Sequence, residues 1–307
     1  MLFEDFTPEG NTFAKDPCVI WFNGAFYLYY TKPVYEGLQK VSCAIGIAKS
    51  QDMDHFEKVG EIRVQQEAEG NGICAPGAIV LNGVIHLFYQ SYGQFPRDYI
   101  CHATSMDAIT FERDETNPVV KPTGDWNNGR AIDADVTVLG DTLFLYWASR
   151  DPLGKVQILG VSRADINSGF HREDFTQACD ASILQPELPW EEDCIEAPAA
   201  VTRGGKVFMF YAGAYNCAPQ QINCAVSRDG VHFTRLFDTP MLPHGEKGSW
   251  NESESGHPYF FEHEGQYHLF YQGSDDMGKN WRISRLPVAF INDIPTVIGG
   301  ENAAEHK

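Results

Sequence analysis

One fifteen-residue pattern occurs five times in this chain of 307 residues, and it constrains the fold more than any other feature. Each copy consists of a short apolar run, a turn and an aromatic run, and the copies align without a gap. The first copy reads DPCVIWFNGAFYLYY and the second reads APGAIVLNGVIHLFY. The copies begin at positions 16, 75, 133, 197 and 257, so a repeat unit of about 60 residues fills the chain.

Each repeat unit is predicted to contain strands only. An apolar run, a turn that usually contains glycine, and an alternating aromatic run are typical of a β-hairpin. A third strand is indicated by the related segments AKSQD, ATSMD and AVSRD, which begin at 48, 103 and 225. Fourth strands are predicted at 57–64 and 234–237, and helices should be few.

Small strand-only units that are repeated five times bury their faces only against their neighbours. The sequence therefore predicts an all-β fold, a five-bladed β-propeller with about four antiparallel strands per blade. We expect one domain over residues 1–307, with blades that start near the five positions above. Residues 299–307 are predicted to be a loose tail.

Composition and charge restrict the partners. The chain has 43% hydrophobic residues and a formal net charge of -19, so it can bury a large core and should repel nucleic acid and anionic lipid. Neither a membrane span nor a secretory signal is visible. The eight cysteines are scattered without zinc spacing. We expect free thiols in a cytoplasmic protein, with a processed secreted form as the alternative.

The first position of the repeat carries candidate chemistry. In a propeller, the same position of every blade faces the central axis. Alanine occupies this slot in two copies, so the fold itself does not require a carboxylate there. Converging carboxyl groups shift the pKa values of one another, and a glycosidase needs one protonated and one ionised carboxyl. The slot residues are Asp16, Ala75, Asp133, Ala197 and His257, with Glu196 directly before the fourth slot.

Each acid also has a plain structural interpretation. Asp16 precedes a proline, which is typical of a turn. Asp135 is an alternative to Asp133, and Glu196 follows an acidic stretch that is typical of a solvated loop. Because Asp16 and Asp133 share the slot and Glu196 directly precedes it, the pattern favours a single site built from Asp16, Asp133 and Glu196.

These segments resemble glycoside hydrolase family 43 over essentially the whole propeller. The matching motifs are Asp16-Pro17, Ile132-Asp133-Ala134-Asp135 and Ile195-Glu196-Ala197-Pro198, although Ala134 replaces the usual proline. The resemblance implies that Asp16 is the general base, that Glu196 is the general acid, and that Asp133 orients Glu196 and tunes its acidity. It also implies inversion of the sugar configuration, with a water between Asp16 and the sugar.

Further residues are predicted to bind the substrate. The resemblance implies that His257, in Ser255-Gly256-His257-Pro258, lies near the axis, where it helps to hold a calcium ion or water. No cofactor is otherwise required. Trp126 and Trp250 are predicted to stack on a sugar ring, and Asp135 is a further candidate contact.

Three functions follow from these residues. The first is an exo-acting hydrolase that removes a terminal α-L-arabinofuranosyl or β-D-xylosyl residue from a small oligosaccharide. The second is a fructan-type glycosidase of the related propeller families, because Arg150-Asp151-Pro152 resembles their middle motif although it follows the second strand of its blade. The third is a non-catalytic propeller that binds glycans. The unequal slots favour one asymmetric site, and hence the first function.

Overall fold

The computed structural model describes residues 2–299, and its strands form five antiparallel sheets of four strands each, arranged as a β-propeller. This confirms the predicted fold class. Apart from Gly299, the predicted tail at 299–307 lies outside the described residues. Three short 3₁₀ turns are the only helical segments between 2 and 299. None of the helices in that range has the length and apolarity that a membrane crossing needs.

Each blade is made of four consecutive strands, and the first strand of each lies nearest the axis. Blade 1 contains β1 (Lys15–Phe22), β2 (Ala25–Glu36), β3 (Gln39–Ser50) and β4 (Glu57–Ile62). Blade 2 contains β5 (Gly72–Leu81), β6 (Val84–Tyr92), β7 (Ile100–Ser105) and β8 (Glu112–Arg113). Blade 3 contains β9 (Ile132–Leu139), β10 (Thr142–Arg150), β11 (Gln157–Asp165) and β12 (Thr176–Gln177). Blade 4 contains β13 (Ile195–Arg203), β14 (Lys206–Gly213), β15 (Gln221–Ser227) and β16 (Phe233–Arg235). Blade 5 contains β17 (Glu254–His263), β18 (Gln266–Ser274), β19 (Arg282–Ile291) and β20 (Ile294–Val297).

A β-bulge interrupts the first strand of every blade at the repeat slot. In blade 1, Asp16 and Pro17 together face one residue, Tyr30, of the second strand. The same irregularity occurs in the other four blades. A bulge leaves one residue outside the hydrogen-bonded ladder, so a proline, which lacks an N–H, is tolerated there. This explains the proline that follows the slot in four of the five copies.

The residue opposite each bulge is a large aromatic side chain that is buried in the blade. These residues are Tyr30, Tyr89, Trp147, Tyr211 and Tyr271. Their polar atoms need partners, because an unpaired buried donor costs free energy. The partners are acidic groups or hydroxyls: Tyr89 donates to Glu69 Oε1 (2.6 Å), Tyr211 to Glu191 Oε1 (2.7 Å), Tyr30 to Asp5 Oδ2 (2.9 Å), and Trp147 Nε1 to Ser162 Oγ (3.1 Å).

Blades 2 and 4 contain the same buried ion pair at this place. Glu69 and Glu191 have no exposed surface, and each accepts hydrogen bonds from two backbone N–H groups as well as from its tyrosine. Arg113 Nε lies 2.6 Å from Glu69 Oε1, and Arg235 Nη2 lies 2.9 Å from Glu191 Oε2. Each arginine compensates the negative charge of its glutamate, which would otherwise be buried without a partner.

The ring closes through the segment before β1. Phe3 and Phe13 form bridges to Ile283 and Trp281 in blade 5, and Trp281 N–H donates to Thr12 O (2.9 Å). Bridges of the same kind join blade 3 to blade 4, between Gln157 and Cys194, and blade 4 to blade 5, between Gln220 and Glu254. Blade 1 is therefore joined to blade 5 by the same kind of contact, without exchange of a strand.

We predict that Arg235→Met destabilises the protein by about 3–5 kcal/mol, because it leaves Glu191 as an uncompensated buried charge. Equilibrium unfolding in urea measures the loss. The control is Arg63→Met, which removes an arginine that is 62% exposed and paired with Glu61, and it should cost less than about 1 kcal/mol. Equal losses of unfolding free energy in the two variants would show that the buried ion pair stabilises the protein no more than the exposed one.

Candidate active site

The five slot residues share an unusual backbone conformation. All have positive φ although none is glycine, and such a conformation is uncommon for residues with a Cβ. The uniform values show that Ala134, which replaces proline after the third slot, does not change the position of Asp133. The φ angles are 52° for Asp16, 48° for Ala75, 54° for Asp133, 50° for Ala197 and 43° for His257.

The N–H groups of the bulged residues are bound by side chains of the preceding blade. A bulged residue has lost its ladder partner, so a buried N–H there needs another acceptor. Three of the four acceptors lie at one repeat position, fifteen residues after the slot of their own blade. The bonds join Asp16 to Gln272 Oε1 (2.9 Å), Ala75 to Thr31 Oγ1 (2.8 Å), Asp133 to Gln90 Oε1 (3.0 Å) and His257 to Gln220 Oε1 (3.0 Å).

The slots open into a cavity of about 300 Å³ at the end of the central axis. Asp16, Asp133, Glu196 and His257 all line it, as the sequence predicted. The three carboxylic residues are at most 8% exposed. The structure therefore brings three acids from three blades to one buried floor.

Asp16 is held in the ionised state. Burial by itself raises its pKa, but several neighbours together outweigh burial, first His257 and then Lys15, so that the pKa lies below its ordinary value. Hydrogen bonds from Thr31 and Ala75 act in the same direction. His257 Nδ1 lies 3.1 Å from Asp16 Oδ1. An ionised carboxylate is the state that a general base requires.

Asp133 has the opposite environment. Burial raises its pKa to about 7. The nearby carboxylates of Glu196 and Asp16 act in the same direction, because two close negative charges repel each other. His257 and Arg130 oppose the rise. Two carboxyl groups in one cavity thus differ widely in their affinity for a proton.

Glu196 is fixed by two glutamines. Gln220 Nε2 donates to Glu196 Oε1 (2.6 Å), and Gln157 Nε2 donates to Oε2. Gln220 also accepts the N–H of His257, so one side chain sets the position of two cavity residues. Buried amides of this kind orient a carboxyl group without adding a charge.

Three predicted contact residues do not line the cavity. Asp135 lies further along the same inner strand, where Oδ2 accepts the N–H of Ala200 (2.6 Å). Burial raises its pKa to about 7. Trp126 stacks on Trp147 with a centroid distance of 5.8 Å, and Trp250 packs against blade 5, beside Gly273. Loop tryptophans next to an inner strand thus cover their own blades here.

The predicted calcium ion at His257 finds no ligand group in the structure. Within residues 2–299, no three His, Cys, Asp or Glu side chains are grouped so as to hold a metal ion. His257 directs Nδ1 to Asp16 instead. The calcium ion stays a prediction, and none of the chemistry described below depends on it.

Several cavity residues were not predicted. They include the cations Lys15, Lys40, Arg130 and Arg150 and the amides Gln90 and Gln157. A third amide, Gln220, binds Glu196 without lining the cavity. The sequence did hold a signal for Gln90, because it shares its repeat position with Thr31 and Gln272, and polar residues are unexpected in a buried strand. The cations come from segments that differ between blades, so the repeat gives no signal for them.

Carboxyl groups that meet in one cavity are the groups with which glycoside-cleaving enzymes work. Residues 7–289 match the family described as Glycosyl hydrolases family 43. The chain therefore belongs to glycosyl hydrolase family 43, and it is a glycoside hydrolase. A comparison with curated proteins gives no match.

Solved structures of similar fold agree with this assignment. A thermostable family-43 glycoside hydrolase has a TM-score of 0.75 and 19% identity, over 94% of this chain and 93% of that one. An α-L-arabinofuranosidase from Lactobacillus brevis has 0.70 and 16%, over 94% of each chain. An α-L-arabinanase from Cellvibrio cellulosa complexed with arabinohexaose has 0.68 and 15%, over 94% and 96%. At these identities the likeness concerns the fold.

We predict that Asp133→Asn stabilises the protein at alkaline pH. The pKa of Asp133 is about 7 in the folded protein and 3.8 ordinarily, so the folded state binds this proton more tightly. The resulting stability is full below pH 3.8 and is lost as the pH rises through 7. Asparagine stays neutral and tolerates positive φ, so the variant avoids this loss.

The difference in unfolding free energy between Asp133→Asn and wild type should therefore grow by roughly 2 kcal/mol between pH 5 and pH 8. Urea unfolding at the two pH values measures it. A difference that does not change with pH would contradict the protonated state of Asp133.

Proposed function

We propose that this family 43 enzyme is an inverting, exo-acting hydrolase that removes a terminal α-L-arabinofuranosyl or β-D-xylosyl residue from an oligosaccharide. Asp16 deprotonates the attacking water, Glu196 protonates the leaving oxygen, and Asp133 positions the pair. The observation that carries the proposal is that one cavity holds Asp16, whose pKa lies below its ordinary value, and Asp133, whose pKa is raised to about 7.

The geometry supports this division of roles. Asp16 lies next to His257 and Lys15, which lower its pKa and so suit a base that must stay ionised at neutral pH. Glu196 comes from blade 4, across the cavity from blade 1, so a sugar on the floor lies between the two carboxyl groups. A water on the side of Asp16 would then attack the face opposite the bond that Glu196 protonates, which inverts the configuration.

The size and shape of the cavity support an exo-acting enzyme with a small terminal sugar. A cavity of about 300 Å³ has room for one end residue, whereas an internal residue of a polymer needs an extended groove. The names of two similar structures, an arabinofuranosidase and an arabinanase, are consistent with a pentose, and this is the reason for testing pentosides first.

The fructan-type alternative has less support. Arg150 is the last residue of β10, and the carboxylate of Asp151 accepts the N–H groups of Lys155 (2.6 Å) and Val156 (2.9 Å). Asp151 thus holds its own loop instead of facing the cavity. A non-catalytic glycan-binding propeller would not need carboxyl groups with such different proton affinities.

We expect Asp16→Asn to lower kcat by about 10²- to 10⁴-fold, because asparagine cannot accept the proton of water. Folding should be intact, since asparagine keeps the shape and tolerates the positive φ of the slot. Thermal unfolding checks the fold. The matched control is Asp135→Asn, which changes a buried aspartate outside the cavity. Wild-type turnover by Asp16→Asn would refute the base assignment.

Glu196→Gln tests the general acid. The variant should lose about 10²- to 10⁴-fold on natural linkages, whose leaving oxygen needs a proton, and far less on a dinitrophenyl glycoside, whose leaving group is stable as an anion. Steady-state kinetics on both substrates give the two ratios. An equal loss on good and poor leaving groups would assign Glu196 another role.

The sugar is identified with a panel of aryl α-L-arabinofuranosides, β-D-xylosides, β-fructosides and galactosides, assayed with wild type and Glu196→Ala. We expect one pentoside to be cleaved, with loss of activity on natural linkages in the variant. Cleavage of only the β-fructoside would support the fructan-type alternative. No cleavage, with glycan binding retained, would support the binding propeller.

A further inference from the structure

Several cations line the cavity, although the chain as a whole is strongly acidic. The formal net charge of the protein is -19. Four permanent cations line the cavity, against the three carboxylic residues on its floor: these are Lys15, Lys40, Arg130 and Arg150. A positive lining on an acidic protein needs a local reason, since clefts of one sign concentrate ligands of the opposite sign.

Two of the four cations balance the acids on the floor. Lys15 lowers the pKa of Asp16, and Arg130 acts in the same direction on Asp133. Arg130 Nε also lies 3.1 Å from Asp98 Oδ2, which makes a partly buried ion pair. These cations are accounted for by their neighbours inside the protein.

Arg150 is different, because no residue in the range 2–299 forms an ion pair with it. Its Nε donates to Gln157 Oε1 (3.2 Å) and its Nη1 to Gly154 O (3.1 Å), both neutral acceptors. Within the same range, Nη2 has no hydrogen-bond partner. The guanidinium lies near two aromatic rings, 5.4 Å from the centroid of Phe95 and 5.6 Å from that of Tyr215. It is thus a fixed, planar donor with unused N–H groups.

The position of Arg150 indicates which part of the substrate it meets. Gln157 accepts from Arg150 and donates to Glu196 Oε2, so one amide connects the guanidinium to the proposed general acid. Tyr215, next to Arg150, also lines the cavity. The general acid contacts the oxygen of the scissile bond, and groups just outside it contact the leaving group.

We propose that Arg150 binds a carboxylate on the leaving-group residue, so that the substrate is an acidic oligosaccharide in which the released end sugar is attached to a uronate. This inference rests on the proposed role of Glu196 as general acid. A planar guanidinium with free N–H groups matches the two oxygens of a carboxylate. Lys40, which is exposed at the cavity mouth and also has no ion-pair partner within residues 2–299, adds long-range attraction.

The test compares two aryl glycosides of the sugar found with the panel above, one with a 3-carboxyphenyl and one with a 3-carbamoylphenyl leaving group. They differ in charge and hardly in shape. Wild type should have a kcat/KM roughly ten- to a hundredfold higher for the carboxylate at low ionic strength, as expected for charged hydrogen bonds. The preference should shrink in about 0.5 M salt.

Substitutions test whether the preference for the carboxylate compound depends on Arg150. Arg150→Gln should abolish the preference, measured as the ratio of the two kcat/KM values, because this ratio cancels any effect of the substitution on the rate common to both compounds. Thermal unfolding checks that the variant is folded. Arg150→Lys should retain part of the preference. The control Lys155→Gln removes a nearby exposed charge that does not line the cavity, and it should leave the preference unchanged.

The outcomes separate the two proposals. Equal hydrolysis of both glycosides by wild type, or a preference that survives Arg150→Gln, overturns the inference and leaves the hydrolase function standing. Hydrolysis of neither glycoside overturns the hydrolase function proposed above. The inference about Arg150 then fails as well, because Arg150 is placed beside the leaving group only through the proposed role of Glu196 as general acid.

Discussion

The bulge in the innermost strand of each blade is the constraint on which the site depends. It places one residue per blade at positive φ, outside the hydrogen-bonded ladder and facing the axis. In four of these residues, the backbone N–H that the ladder leaves unpaired donates to a side chain of the preceding blade. The strained conformation and the contact between blades therefore stabilise each other. A carboxyl group at such a position is held by the whole ring. This explains how a site on strand ends is rigid enough for catalysis.

The same scaffold gives chemically different acids because the surroundings of the slots differ. His257 and Lys15 lower the pKa of Asp16, whereas burial and two nearby carboxylates raise the pKa of Asp133. Neutral amides hold Glu196 in place. The division into an ionised group and a protonated group therefore arises from residues that the repeat does not share. Symmetry places the acids, and departures from symmetry set their protonation states.

Much of the fold was predictable because the repeat is ungapped and each copy carries its own hairpin. The slot analysis correctly brought Asp16, Asp133, Glu196 and His257 to one cavity, since equal repeat positions have equal depth in a propeller. The loops were not predictable in this way. Trp126 and Trp250 lie on their own blades instead of at the cavity, and Arg150 reaches the cavity from the end of a strand. Such positions depend on how loops of different length pack against each other, and the sequence repeat carries no information about this packing.

The most direct test of the account is the configuration of the first product. Proton NMR during the first minutes of hydrolysis, before the released sugar equilibrates in water, identifies the anomer that the enzyme forms. With Asp16 activating a water opposite Glu196, the account predicts the inverted anomer. Release of the retained anomer would mean that a carboxylate attacks the sugar directly, and it would contradict the roles assigned to the carboxyl groups of this cavity.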